Sequence, residues 1–174
     1  MKSIVVYRSK TGFTEKYAGW IAEALQADII EASEKVTGSL LAPYDNVIFG
    51  GSLHAVGING VKHITRNLDS LKGKKVAIFA TGASPSREGV LDEVKNKNFT
   101  ADQQKSISFF YLRGGFDYSK LKPADRTLMT LLKWRLKAKR GLTPDERGML
   151  AAYDTPVDFT NKKYIDEIVS YINS

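Results

Sequence analysis

The segment Ser9-Lys10-Thr11-Gly12-Phe13-Thr14 follows a short apolar run and precedes an amphipathic one, and its residue types suit the capture of an anion. A helix starting here presents backbone N–H groups that lack intrahelical acceptors, together with the positive end of its dipole. The hydroxyls of Ser9, Thr11 and Thr14 add donors, and Gly12 permits a positive φ or a close approach. The loop contains neither GxxxxGK[ST] nor GxGxxG, so it is neither a Walker loop nor a dinucleotide fingerprint. A plain N-cap turn built from Ser and Thr is the alternative reading.

The surrounding pattern says what must position this loop. Ser3–Arg8 (SIVVYR) reads as a buried strand, and Phe13–Gln26 as a helix with Tyr17, Trp20, Ile21, Ala24 and Leu25 on one face. Asp28–Ala32 is a second strand, Gly38–Pro43 a loop, Asn46–Gly50 a third strand and Gly60–Leu71 a helix. Lys75–Thr81 is a fourth strand, Arg87–Lys95 is helical, and Ser106–Leu112 is a fifth strand. Thr160 or Asn161 caps the last helix, whose apolar stripe is Ile165, Ile168, Val169 and Ile172. Apolar strands alternating with amphipathic helices predict an α/β doubly wound parallel sheet, five strands in the order 2-1-3-4-5. Right-handed crossovers bring the loops after strands one, three and four to the same carboxyl edge.

The loop SKTGFT after strand one resembles the [ST]-x-T-G-x-T phosphate loop of the flavodoxin family, and the strand order resembles that family across the chain. The resemblance implies a flavodoxin-like fold and FMN, its phosphate held through Ser9, Lys10, Thr11, Gly12, Phe13 and Thr14. It also implies flavin-ring contacts from the loop Gly50–Gly57, through Ser52, Leu53 and His54, and from the loop Thr81–Ser86, through Thr81, Gly82, Ala83 and Ser84. Small residues there let backbone approach a flat ring, with Gly82 leaving room for it; Gly, Ser and Pro as ordinary loop formers is the alternative. Familiar flavodoxins stack aromatic side chains on the ring, whereas here the second loop carries Leu53 and His54 and the third loop no aromatic residue. His54 bonds a flavin or substrate, or is a loop histidine without a role. His63 lies in the helix pattern and reads as structural.

The chain of 174 residues, 43% hydrophobic and 26% charged, has the balance of one soluble globular domain spanning 1–174. No apolar run approaches the ~18 residues needed to span a bilayer. The first residues turn polar too soon for a signal peptide. With no cysteine and two histidines, thiol catalysis and disulfides are excluded and a transition-metal site has little material. The expected location is therefore the cytoplasm, and redox chemistry has to come from an organic cofactor.

The basicity belongs to one segment. Eight of the 26 Lys and Arg residues lie between Ser119 and Leu142, against one of the 19 Asp and Glu residues, Asp125; this stretch carries the whole net charge of +7. It follows Arg113-Gly114-Gly115-Phe116-Asp117-Tyr118 and contains a helical excursion, Pro123–Arg140, with another helix starting at Thr143-Pro144. Gly114, Gly115 and Asp117 are candidates for the flavin edge, and Asp117 alternatively caps the next turn. The Gly-rich turn and the run Asp125-Arg126-Thr127-Leu128-Met129 resemble flavodoxin-type, quinone-linked protoporphyrinogen oxidases, with 119–153 as a basic insertion before the last helix. That layout favours an FMN-dependent oxidoreductase slightly over a pure electron carrier. The implied partners are a redox protein, a quinone or an acidic small substrate. Leu128, Leu131, Leu132, Trp134 and Leu136 interleaved with cations suit peripheral contact of 123–140 with an anionic membrane. A solvated lysine face is the alternative. No nucleic-acid recognition motif accompanies the basic patch. The rival from another class is a flavin-free flavodoxin-like binding or regulatory module.

Overall fold

The computed structural model of the protein describes residues 1–85 and 88–174. In chain order its elements are β1 (Ser3–Arg8), α1 (Phe13–Leu25), β2 (Asp28–Glu31), α2 (Gly38–Leu41), β3 (Asn46–His54), β4 (Gly57–Ile58) and α3 (Lys62–Thr65). There follow β5 (Lys75–Gly82), α4 (Glu88–Asn98), α5 (Ala101–Lys105), β6 (Ser108–Arg113) and β7 (Gly115–Phe116). The chain closes with α6 (Pro123–Ala138), α7 (Pro144–Ala152), β8 (Val157–Asp158) and α8 (Asp166–Asn173).

The main sheet runs β2-β1-β3-β5-β6 with all of these pairs parallel, the doubly wound order expected from the alternation of strands and helices. Period-two alternation sends neighbouring residues to opposite faces. Ile4, Val6, Val47, Phe49 and Ile78 build one core with Leu41 and Ile64. Val5, Ile48 and Phe79 build the other with Tyr17 and Ile21 of α1 and with Ile165, Ile168 and Ile172 at the C-terminal end. The two helical layers therefore clamp the strands so that their carboxyl ends share one edge.

Several boundaries differ from expectation. Gly38–Leu41 is a short helix rather than loop, because the Thr37 hydroxyl accepts from Leu40 N and caps it. The expected helix 60–71 is broken into α3 and a 3-10 turn, Leu68–Leu71. The Asn67 side chain there donates to Val36 O and His63 O, which competes with a continuous helix. Arg87, expected to open the helix 87–95, lies outside the described residues, as does Ser86 of the third loop, and the helix itself continues to Asn98. β3 continues to His54 instead of ending at Gly50, and turns back into β4 as a hairpin. Gly50 and Gly51, expected in the loop, are strand residues. A Cβ at Gly50 would run into the Phe79 ring, and one at Gly51 would lie 2.7 Å from Asn59 O. These glycines let an aromatic ring and a returning strand pack on the sheet.

The excursion is held down by charge as well as by packing. Tyr153 is buried, meets the rings of Phe116 and Tyr118, and donates its hydroxyl to Met129 O. Lys10 holds the Asp125 carboxyl below its usual range, Lys139 does the same for Glu146, and Lys133 for Asp154. Carboxylates with depressed folded-state pKa stabilise above their unfolded value, and that stability is lost as pH falls through the folded one. Below about pH 4, amide exchange corrected for its intrinsic pH dependence should therefore speed up in 119–153 before it does in β1, β3 and β5, whose cores are apolar. Simultaneous loss of protection in both regions would show that these ion pairs do not hold the excursion.

Candidate cofactor site at the carboxyl edge

The first loop opens α1 through a left-handed glycine. Gly12 has φ +93°, a left-handed conformation that favours glycine, and its N–H donates to Ser9 Oγ at 3.0 Å. This turn starts α1 with Lys16 N bonded to Gly12 O at 2.9 Å. The backbone N–H groups of Thr11, Phe13, Thr14 and Glu15 find no acceptor among the described residues, so they remain available to a ligand at the positive end of the helix. Thr11 is half-buried at the loop surface.

Thr14 is different. It is buried, and its hydroxyl pairs with that of Thr81 at the end of β5, 2.6 Å away. The pair locks the first loop to the strand that carries the third. Thr81 itself lies opposite Ser52 of β3, so one lateral row at the sheet edge joins all three loops.

The second loop is a tight hairpin in which His54 pairs with Gly57 and Ala55 adopts φ +53°. Asn98 of α4 fixes it: the side chain accepts from Ile58 N at 2.8 Å and donates to Val56 O at 2.7 Å. Leu53 is half-buried and His54 exposed. The third loop is held from β6, where Tyr111 Oη donates to Ser84 O at 2.6 Å and Arg113 Nε to Ala83 O at 3.3 Å. A Cβ at Gly82 would meet that Tyr111 hydroxyl at 2.6 Å and Leu53 at 3.3 Å. A side chain there would first displace Tyr111, which corrects the simpler expectation of blocking open ring space.

The turn after β6 closes the edge. Gly114 N donates to Gly82 O at 2.8 Å. The position of a Cβ on Gly115 is taken by Phe13, with ring Cζ at 2.6 Å, and by Val157 O of β8. Gly115 thus admits the Phe13 ring and the β7–β8 ribbon. The Asp117 carboxylate caps the following turn, accepting from Ser119 N at 3.0 Å and Ser119 Oγ at 2.6 Å; these bonds hold its pKa down. Beneath the turn, Tyr17 Oη donates to Arg113 O at 2.7 Å, and burial pushes its pKa up to about 12.

One carboxylate ties the excursion to two of the loops. Asp125 of α6 receives Lys10 Nζ at 2.8 and 3.0 Å, and its Oδ1 lies 3.8 Å from His54 Nδ1. Sequence reasoning placed Lys10 and His54 in separate loops without this link. The available signal was that Asp125 is the lone anion of the basic stretch. The roles of Asn98, Thr81 toward Thr14, and Tyr111 had no local sequence signal, since each depends on a partner tens of residues away.

One surface cavity of about 310 Å³, near Lys72, Lys105 and Tyr171, lies away from this edge, and another of about 300 Å³ runs along β6 from Pro85 of the third loop and Arg113 to Lys163 and Glu167. Three loops, the backbone donors of 11–15 and the Thr14–Thr81 hydroxyl pair converge at the carboxyl edge.

A family model described as a flavodoxin domain matches residues 4–142. Among solved structures, the two-electron reduced flavodoxin of Megasphaera elsdenii is 22% identical, with 62% of this chain and 84% of that chain covered and a TM-score of 0.45. Oxidised flavodoxin 1 of Bacillus cereus is 17% identical, with 80% of this chain and 100% of that chain covered and a TM-score of 0.43. A flavoprotein in complex with FMN from Lactobacillus acidophilus is 17% identical, with 64% and 91% covered and a TM-score of 0.42. No curated protein matches the chain. The matched stretch runs from β1 to just beyond α6 and takes in all three loops, and the chain belongs to the flavodoxin domain family.

Proposed function

We propose that this protein binds FMN at the carboxyl edge and serves as a redox protein, carried by one domain in which 119–153 is an insertion. The single observation that supports this most is the first loop, where a left-handed Gly12 opens α1 and the backbone N–H groups of Thr11, Phe13, Thr14 and Glu15 have no acceptor among the described residues. That donor set suits a phosphate monoester without requiring a metal or an arginine. In this reading Ser9–Thr14 hold the phosphate, while Ser52–His54 and Thr81–Ser84 border the ring. Gly114, Gly115 and Asp117 shape the rim from behind, because their own contacts are to protein. FMN, when bound, supplies one- and two-electron transfer; the chain binds it, orients it and limits water around it.

The layout of 113–129 favours an oxidoreductase resembling the quinone-linked protoporphyrinogen oxidases, acting with a quinone or a carboxylated small substrate rather than shuttling electrons alone. A chain without cysteine suits a reducing compartment, and we read it as cytoplasmic. Among the described residues no helix is long and apolar enough to cross a membrane. The test is direct. Protein stripped of bound small molecules is titrated into FMN, and flavin fluorescence should be quenched stoichiometrically as a shifted visible spectrum appears. Absence of both would leave the flavin-free binding module as the function.

A further inference from the structure

We propose that the outward face of α6 is a docking surface for an anionic lipid bilayer. Leu128, Leu131 and Trp134 recur at i, i+3 and i+6, so they share one side of the helix. They are 51%, 55% and 65% exposed, among the most exposed large apolar side chains of the protein. The opposite side is already used: Leu136 is buried, and Met129 receives Tyr153 through its carbonyl. A helix with a single face to bury would place its leucines inward and its lysines outward. Here the leucines and the tryptophan also face outward, while Lys133 folds back onto Asp154 at 2.8 Å and Lys139 onto Glu146 at 2.7 Å.

Those ion pairs divide the eight cations of the segment into two sets. Lys120 also leans on Asp117, while Arg126 donates to the neutral carbonyl of Ser119 and has no anionic partner among the described residues. Lys122, Arg135, Lys137 and Arg140 have no anionic partner within 4 Å among the described residues. Arg135 is exposed beside the apolar stripe, and Lys122 and Arg140 lie just beyond the two ends of α6. The one anion of the helix, Asp125, is engaged by Lys10 and does not offset them. The result is an exposed apolar ridge framed by positive charge that has no anionic partner among the described residues.

The shape and charge select the occupant. A ridge, unlike a groove, has no walls to receive a partner's side chain, and it presses into a deformable headgroup layer. There leucines reach the acyl boundary, tryptophan takes the interface, and Lys and Arg meet lipid phosphates. This surface requires no flavin, so its test is separable from that of the cofactor.

The full-length protein is floated with phosphatidylcholine vesicles, with and without added phosphatidylglycerol. Binding should appear only with the anionic lipid and weaken with salt. Each unpaired cation removed should weaken partitioning roughly fivefold. Joint replacement of Lys122, Arg135, Lys137 and Arg140 by alanine should therefore weaken it at least about a hundredfold. Trp134→Ser, which leaves the charge unchanged, should also weaken binding and abolish the blue shift of tryptophan emission seen with vesicles. All these positions are exposed, so circular dichroism and FMN titration of the variants should match the parent. Failure to bind anionic vesicles at low salt, or equal binding by the parent and the fourfold variant, overturns the proposal. The same failure accompanied by salt-sensitive capture of an acidic protein would assign the ridge to that other class of partner.

Discussion

Thr11→Ala should lower the affinity for FMN by about tenfold to a hundredfold and leave the affinity for riboflavin nearly unchanged. A hydrogen bond to a charged group is worth ~1.5–3 kcal/mol, and each 1.4 kcal/mol is about a factor of ten in Kd. Riboflavin lacks the phosphate and so does not feel the loss. Thr11 is the clean probe because its side chain has no hydrogen-bond partner among the described residues. Thr14→Ala gives a compound result, since it also strands the buried Thr81 hydroxyl 2.6 Å away. An unsatisfied buried hydroxyl costs about 1–3 kcal/mol, so this variant should unfold earlier as well as bind less FMN, and Thr14→Ser should restore both. Fluorescence titration with the two flavins, paired with thermal melts, checks this. Equal weakening of FMN and riboflavin by Thr11→Ala would remove the phosphate from this loop.

Gly50→Ala should be the more damaging change, and to the fold rather than to flavin binding as such. The added methyl falls on the Phe79 ring, which is fully buried between β3 and α1. The ring has no free volume into which to retreat, because interiors are close-packed. Overpacking of this kind costs typically 1–3 kcal/mol and sometimes more, and overlap with a fully buried aromatic ring argues for about 3 kcal/mol or above. For a chain of this size that is a fall in Tm of about 6–12 °C. Phe79→Leu in the same background should recover part of the loss by vacating the ring's space. A Gly50→Ala protein that melts like the parent but binds FMN poorly would return Gly50 to the flavin-facing role its sequence context suggests.

The local pattern was enough to establish the strand order and the first loop. Runs such as SIVVYR and KVAIFAT are too apolar to be anything but two-sided buried strands. A parallel arrangement leaves few topologies once crossovers are right-handed, so the carboxyl edge and the loops that meet there follow. The anion character of Ser9–Thr14 is equally local, because donors, hydroxyls and the permissive Gly12 are adjacent in the chain. Helix ends and short elements were less legible. The cap of α2 by Thr37 is one hydrogen bond and the interruption after α3 by Asn67 is two, and several conformations of such segments lie within about a kilocalorie of one another.

What only the tertiary structure decided is which side chains were already spent. The composition shows eight cations in one stretch, but charge alone does not say that Lys10 takes Asp125 or that Lys133 and Lys139 take anions of α7 and the turn after it. Likewise Gly51 and Gly115 look like ligand-facing loop glycines until Ile58 and Phe13 are found where a Cβ would stand. Propensity and periodicity act over a few residues, whereas packing and ion pairing join positions as distant in the chain as Lys10 and Asp125, 115 residues apart. The donor-rich loop proposed to hold the phosphate could therefore be read from neighbours in the chain. The clasp across it and the apolar ridge on α6 exist only because distant segments settled the competition for partners.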